Sequence, residues 1–408
     1  MNILFLTIAY NSSRNIYSDL MNEFRDNGHD VWVVCQTERR NNRETHLREE
    51  SGINILRVKT GNLTDKVSII EKGLTMLSVE YLFKAAIKDY LSGIKFDLVI
   101  YSTPPITFCG VVNYIKKRDG AVSYLLLKDI FPQNAVDLGM IKNNSLIHKF
   151  FMMKEKKLYA VSDYIGCLSK ANVKYLIANN KHLDRSKIEV NSNSIKPMEL
   201  CEIDKSSVKA IRGKYGIPDD AVLFVYGGNL GLPQGLDFLV DICKELRNYP
   251  QIFLLIIGNG NRYESMSNAL KEIAAPNVML RKALPKDEYD KLLSACDVGL
   301  IFLSPDFTIP NFPSRLTAYM ETCLPVLAAT DEVTDIKDAL LEAGCGMWSK
   351  SGDLKTFMAN MKGLAGSETL RRTMGRNGRR YLEEHYTVDR SYKIIVSHFE
   401  KAEAHTNV

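Results

Sequence analysis

The sequence predicts an α/β protein of two doubly wound domains, and three observations carry that prediction. Short apolar runs alternate with segments of helical spacing, as parallel strands alternate with the helices that cover them. The alternation pauses once, around residues 192–197, and then resumes. The chain's 408 residues, 45% apolar and 25% charged, suffice for two full-sized cores. The expected domains are residues 1–195 and 196–385.

In the first domain, residues 3–8 read as a strand, 17–27 as a helix closed by Gly28, and 31–35 as a second strand. The turn between strand and helix, Tyr10-Asn11-Ser12-Ser13-Arg14-Asn15, is polar but has no glycine, which excludes a dinucleotide fingerprint. Residues 63–92 set Ile69, Ile70, Leu74, Leu77, Leu82, Phe83, Ile87 and Leu91 at helical spacing among Lys66, Lys72, Lys84 and Lys88. Residues 146–159 repeat the theme, with Phe150, Phe151, Met152 and Met153 beside Lys149, Lys154, Lys156 and Lys157. Such helices face their own core or lie on an anionic membrane, and both readings stand at this point. A strand at 97–101 runs into Ser102-Thr103-Pro104-Pro105, and one at 122–127 delivers Lys128-Asp129-Ile130-Phe131-Pro132-Gln133 to the same edge. Ionisable residues at the carboxyl edge of a doubly wound sheet belong to ligand sites; Asp129 as a plain loop cap is the alternative.

The second domain opens with a strand at 222–226 that enters Gly227-Gly228-Asn229-Leu230-Gly231-Leu232-Pro233-Gln234-Gly235, a glycine-rich turn before the helix 236–246. Such a turn lets backbone amides approach a ligand closely. The strand 253–257 ends in Gly258-Asn259-Gly260, and a strand at 278–280 and a helix at 286–295 follow. Strands at 298–303 and 325–329 then bracket a long loop and the helix start Pro313-Ser314-Arg315-Leu316-Thr317-Ala318-Tyr319-Met320. Ser314 is expected to cap this helix with its hydroxyl, leaving the amides of Leu316 and Thr317 free beside the Arg315 fork, an arrangement suited to a phosphate. The plainer reading has Ser314 only capping and Arg315 facing solvent.

Charge is uneven. Residues 1–197 hold 28 Lys and Arg against 20 Asp and Glu, and the remainder 25 against 28, within a net charge of +5. A basic front half favours an anionic membrane or phosphorylated lipid, and no module for nucleic acid is present. The eight cysteines are scattered singly, as buried thiols of a reducing cytosol, with no zinc spacing. The amino terminus reads as a strand and not as a signal peptide, and no apolar stretch is long enough for a bilayer span.

Together these motifs resemble family 4 glycosyltransferases, retaining enzymes of the GT-B fold, and within them enzymes of bacterial capsule and O-antigen assembly. The resemblance runs nearly the length of the chain. It rests on Ser102 to Pro105, Asp129 to Pro132, Gly228 to Gly235, Gly258-x-Gly260, Asp297-Val298, Pro313 to Leu316, Gly344-x-Gly346, Gly352-Asp353 and Met374-Gly375-x-Asn377. It implies two Rossmann-like domains facing each other across a cleft, with a closing helix over 386–408 returning to the first. A nucleotide sugar, expected to be a UDP-sugar and to need no other cofactor, would bind at Gly228, Asn229, Gln234, Gly258, Ser314, Arg315, Leu316, Thr317 and Glu321. A lipid-linked or oligosaccharide acceptor would meet Ser13, Asn15, Ser102, Thr103 and Lys128, with Asp129 and Arg315 as the catalytic pair. No Asp-x-Asp occurs, which fits transfer without a metal. The expected place of work is the cytoplasm, at the inner face of the membrane.

The sequence also departs from the family. Asn229 and Gln234 stand where the glycine turn usually carries Arg and Lys. Of the family's two glutamates, the first position holds Pro310 and the second Ala318, with Glu321 one turn on. Two other readings therefore accompany sugar transfer: a non-catalytic homologue that scaffolds a working partner, and a sugar-nucleotide 2-epimerase.

Overall fold

The computed structural model describes residues 1–63, 67, 69–199 and 204–406. The chain forms two compact units, Met1–Lys196 with Val388–Val408, and Pro197–Thr387.

The first unit runs β1 (Asn2–Leu6), α1 (Ile16–Asp26), β2 (Asp30–Glu38), β3 (His46–Glu50), β4 (Ile53–Thr60) and α2 (Ile69–Tyr90). It continues with β5 (Leu98–Ser102), α3 (Cys109–Asp119), β6 (Val122–Leu127), α4 (Gln133–Asp137), α5 (Leu146–Val161), β7 (Tyr164–Cys167), α6 (Lys170–Asn179) and β8 (Ile188–Val190). Its sheet has the order β3-β4-β2-β1-β5-β6-β7-β8 and is parallel except for β3. The central strands are buried on both faces, which is why Ile3 to Leu6 and Leu98 to Tyr101 read as unbroken apolar runs. The β3–β4 hairpin was not expected from the sequence. It turns on Ser51 and Gly52, both at positive φ, and its outer strand is polar enough to pass for a loop.

The second unit runs α7 (Lys205–Tyr215), β9 (Val222–Gly227), α8 (Leu236–Glu245), β10 (Ile252–Ile257), α9 (Tyr263–Ile273), β11 (Val278–Arg281) and α10 (Lys286–Leu293). Then come β12 (Val298–Phe302), α11 (Arg315–Glu321), β13 (Val326–Thr330), α12 (Ile336–Ala343), β14 (Gly346–Lys350), α13 (Leu354–Gly366) and α14 (Glu368–His385). Its six strands are all parallel, in the order β11-β10-β9-β12-β13-β14. A partly buried ion pair fixes two strand starts: Arg212 meets Asp297 at 2.8 Å, and the same carboxylate oxygen accepts from the Leu223 amide at 2.7 Å. Asp297 is thereby a strut of the sheet.

The last helix, α15 (Val388–Thr406), belongs to the first unit. Val388 and Ile395 are buried in its core, Tyr392 packs edge-on to Phe24 at 5.0 Å, and the Tyr392 hydroxyl lies 2.9 Å from His29 Nε2. A second tie joins His398 Nε2 to Glu189 at 2.9 Å, with its ring stacked on Tyr164 at 3.6 Å.

The two basic-apolar stretches divide between the readings set out above. Within α2, Val79, Phe83 and Ile87 are buried and Phe83 stacks on Phe108, while Leu74, Leu77 and Tyr81 stand exposed. Lys84 and Lys88 lie over the Tyr114 ring. Lys66 falls outside the described residues, as do the side chains of Ile69 and Ile70. On α5, Leu158 and Tyr159 face the core, whereas Leu146, Ile147, Phe150 and Met153 face outward. Among the described residues no helix is long and apolar enough to cross a membrane.

Candidate active site

The second unit gathers its candidate residues at the carboxyl ends of β9, β10 and β12. Gly228 has φ +146°, a backbone state that L side chains rarely adopt. The Gly228 carbonyl fills the space a side chain at Gly258 would need, so the two glycine turns pack backbone on backbone. Beneath Gly228 lies Arg315. A Cβ on Gly228 would stand 3.0 Å from its Nη2 and 3.2 Å from its Cζ. The guanidinium carbon sits 4.6 Å from the centre of the Tyr226 ring. Burial works against the Arg315 charge, but the oxygens of Tyr226, Tyr319 and Tyr289 outweigh it and raise the group above its ordinary value. Nη1 is shut off from water and has no hydrogen-bond partner.

The tyrosines are themselves fixed. The Tyr226 hydroxyl donates to the Asn229 carbonyl at 2.8 Å. The Tyr319 hydroxyl lies 3.1 Å from the Leu300 carbonyl and accepts from the Gly227 amide at 3.4 Å. Sequence reasoning missed all three tyrosines as site residues, because Tyr226 and Tyr319 stand among apolar residues and read as core, and Tyr289 stands in the charged stretch Lys286-Asp287-Glu288-Tyr289-Asp290-Lys291 and reads as surface. Their only signal is that Tyr226 ends a strand and Tyr319 lies four residues beyond Arg315 on one helix face.

Several expectations are corrected. Ser314 is already in helical conformation and caps no amide with its side chain. The Leu316 and Thr317 amides are paired with the carbonyls of Pro313 and Ser314, both at 3.2 Å, and both side chains are buried. The short helix therefore supplies the Arg315 side chain and no free amide pair. Gln234 folds inward, its oxygen accepting from the Gly231 amide at 3.3 Å and the Asn229 amide group at 3.5 Å, so it braces the turn. Asn229 and Gly228 are exposed. Glu321 is buried, with Oε1 taking the Met198 amide at 2.8 Å while Arg379 holds its carbonyl. It ties chain segments together instead of reaching toward Arg315. The later family motifs are structural as well: Gly344 ends α12 with φ +58°, Asn377 donates to its carbonyl at 3.1 Å, and Gly375 leaves room for the Cys323 carbonyl.

The first unit gathers Ser102, Thr103, Lys128 and Asp129 at the ends of β5 and β6. Thr103 is buried, and its hydroxyl donates to the Asp129 carbonyl at 2.9 Å while accepting the amides of Lys128 and Asp129. It clamps the loop that presents Asp129, which corrects its expected contact with an acceptor. Ser102 is buried against the Tyr17 hydroxyl, which feels the charge of Asp129. Burial pushes the Asp129 carboxyl up to about 6 and pulls the Lys128 ammonium down to about 7. Asn15 is corrected too. Its oxygen caps α1 on the amides of Tyr17 and Ser18, and its amide group donates to Ser13 and Asn11. Ser13 is exposed.

Comparison with known proteins bears on the family and the fold. The family described as glycosyl transferases group 1 matches residues 207–381. WbjE of Pseudomonas aeruginosa, named a glycosyltransferase, is 23% identical over 285 residues, 69% of each chain. WcaI of Escherichia coli K12, named for colanic acid biosynthesis, is 22% identical over 53% of this chain and 54% of its own. The solved structure of HepE from Anabaena, in complex with UDP and glucose, superposes with a TM-score of 0.72 at 13% identity, covering 98% of this chain and 100% of that one. The chain has the GT-B fold, and over residues 207–381 it is similar to the group 1 glycosyl transferases.

Proposed function

We propose that the chain transfers a sugar, with retention of configuration, from a UDP-sugar to a lipid-linked or oligosaccharide acceptor in the assembly of capsule or O-antigen at the cytoplasmic face of the membrane. The observation that carries the reading is Arg315: a charged fork held by aromatic rings beneath a glycine turn, with one nitrogen dry and unpartnered. A diphosphate above Gly228 would neutralise the charge of that fork. The UDP and glucose bound to HepE support the donor, and the colanic acid role in the name of WcaI supports the setting.

In this reading Arg315 stabilises the leaving diphosphate as its negative charge grows, the work a divalent cation does elsewhere, so transfer needs no metal. Asp129 meets the acceptor hydroxyl. Its raised carboxyl suits proton traffic near neutral pH. Incubation with a panel of nucleotide sugars and a polyprenyl-diphosphate sugar acceptor, with and without a chelator, tests this. Product of retained configuration in both cases is expected, and product lost on chelation removes the metal-free part. A scaffold role is the second reading, favoured by the pairing of the Asn229 and Gln234 amides where the family has cations. Absence of nucleotide binding would establish it in place of transfer.

A further inference from the structure

Outside the candidate active site, α5 borders a groove of about 590 Å³ lined by His148, Lys149, Met152, Met153, Lys156, Lys157 and His182 among others. The α5 residues follow one another at alternating intervals of one and three along a single helix face, and the three lysines are exposed. His148 differs from them. It is only 8% exposed, its Nδ1 accepts the Asn144 amide at 3.1 Å, and the ring proton of the neutral form must therefore sit on Nε2. That nitrogen is buried and has no hydrogen-bond partner. A buried donor left open in a groove walled by ammonium groups marks a place for an anionic oxygen.

The neighbouring face of the same helix is apolar and unpartnered. Leu146 is 86% exposed and Ile147 61%, with Phe150 and Met153 further along. The α2 stripe of Leu74 (65%), Leu77 and Tyr81 (74%) adds to it. Lys154 joins the two helices, pairing with Glu80 of α2 at 3.5 Å while lying over the Phe150 ring. An apolar strip edged by lysines matches the depth profile of a bilayer surface, with acyl chains below and phosphates above.

We propose that the α5 groove is a headgroup site for an anionic phospholipid, with the phosphate on His148 Nε2 and Lys149, Lys156 and Lys157 around it, and with Leu146 and Ile147 inserted beside it. This rests on the reading of a membrane-facing enzyme and names the surface that does the docking. Lysines near an anionic surface contribute about fivefold each to binding, so three together amount to roughly 100-fold.

The test is flotation of the full chain with vesicles of phosphatidylcholine alone and of phosphatidylcholine with phosphatidylglycerol. The chain is expected to float only with the anionic vesicles. Lys149→Ala/Lys156→Ala/Lys157→Ala should lose that binding by roughly 100-fold with an unchanged thermal melt. Leu146→Ser/Ile147→Ser should weaken flotation with the anionic vesicles as well, with an unchanged thermal melt. Full flotation of the triple-lysine variant would overturn the headgroup site while leaving membrane association standing. Failure of the unaltered chain to float with either vesicle would overturn membrane association itself.

Discussion

The two sheet edges handle charge in opposite ways. At the edge of the second unit, Arg315 lies over the Tyr226 ring and near the hydroxyls of Tyr319 and Tyr289, and these neighbours hold it charged against the pull of burial. At the edge of the first unit, burial alone suppresses ionisation, lifting Asp129 to about 6 and lowering Lys128 to about 7. A charge that its surroundings keep fixed suits a ligand that is always anionic, such as a diphosphate. A carboxyl whose ionisation turns over near neutral pH suits a group that must take or give a proton. Under the proposed function, that difference separates a residue suited to binding from one suited to reacting.

The largest effect is expected at Asp129. Asp129→Asn should lower turnover with both substrates saturating by about 100-fold or more, the usual size of a lost general acid or base. Wild-type activity should fall as pH drops through about 6, where the carboxyl takes up its proton. The asparagine variant should lose that limb, and wild-type turnover in it would remove the reactive role.

Next in size is the glycine turn. Gly228→Ala puts a methyl group 3.0 Å from the Arg315 Nη2 at φ +146°, so both the arginine and the backbone must yield. Backbone strain of this kind costs roughly 1–3 kcal/mol. Lower thermal stability together with weaker UDP binding is expected. A loss of stability with unchanged UDP affinity would detach the glycine turn from the donor.

A smaller effect belongs to the ring beneath Arg315. Tyr226→Leu removes a cation–π contact of about 0.5–2 kcal/mol, whereas Tyr226→Phe keeps the ring and loses only the hydrogen bond to the Asn229 carbonyl. UDP affinity should fall more for leucine than for phenylalanine. Equal losses would assign the tyrosine's role to its hydroxyl.

The smallest concerns Lys128. Its folded-state value lies below the unfolded one, so the unfolded chain holds the extra proton between pH 7 and about 10.5, and stability gained from this group rises across that window. Lys128→Met should therefore stabilise the protein at pH 7 and below, with the gain fading as pH approaches 10.5. Chemical denaturation at three pH values measures it, and a gain independent of pH would show that the charge is not the cause.

Much of this architecture was legible because buried parallel strands leave a plain trace. Residues 122–127 match β6 to the residue, and the positions of β1, β9, β10, β12 and β13 follow from apolar runs in the same way. Direction was less legible than chemical type. Asn15, Thr103 and Glu321 are polar residues near a sheet edge, as site residues should be, yet each meets a backbone amide close by, and a buried amide must be satisfied before a ligand is. Ser314 failed as a cap because its backbone is already helical, a dihedral that residue type does not dictate. The cage around Arg315 stayed hidden for a different reason. Tyr226, Tyr289 and Tyr319 lie 63 and 30 residues apart in sequence and meet only through the crossover of β9, α10 and α11.

The central claim is that Arg315 carries the donor diphosphate, and titration calorimetry of UDP against Arg315→Ala and Arg315→Lys, paired with turnover, tests it most directly. A hydrogen bond to a charged group is worth about 1.5–3 kcal/mol, so alanine should weaken UDP binding by about tenfold or more and lower turnover further still, because the phosphate charge grows as the sugar leaves. Lysine should recover part of both, restoring charge without the planar fork. Unchanged UDP affinity and unchanged turnover in Arg315→Ala would contradict the account.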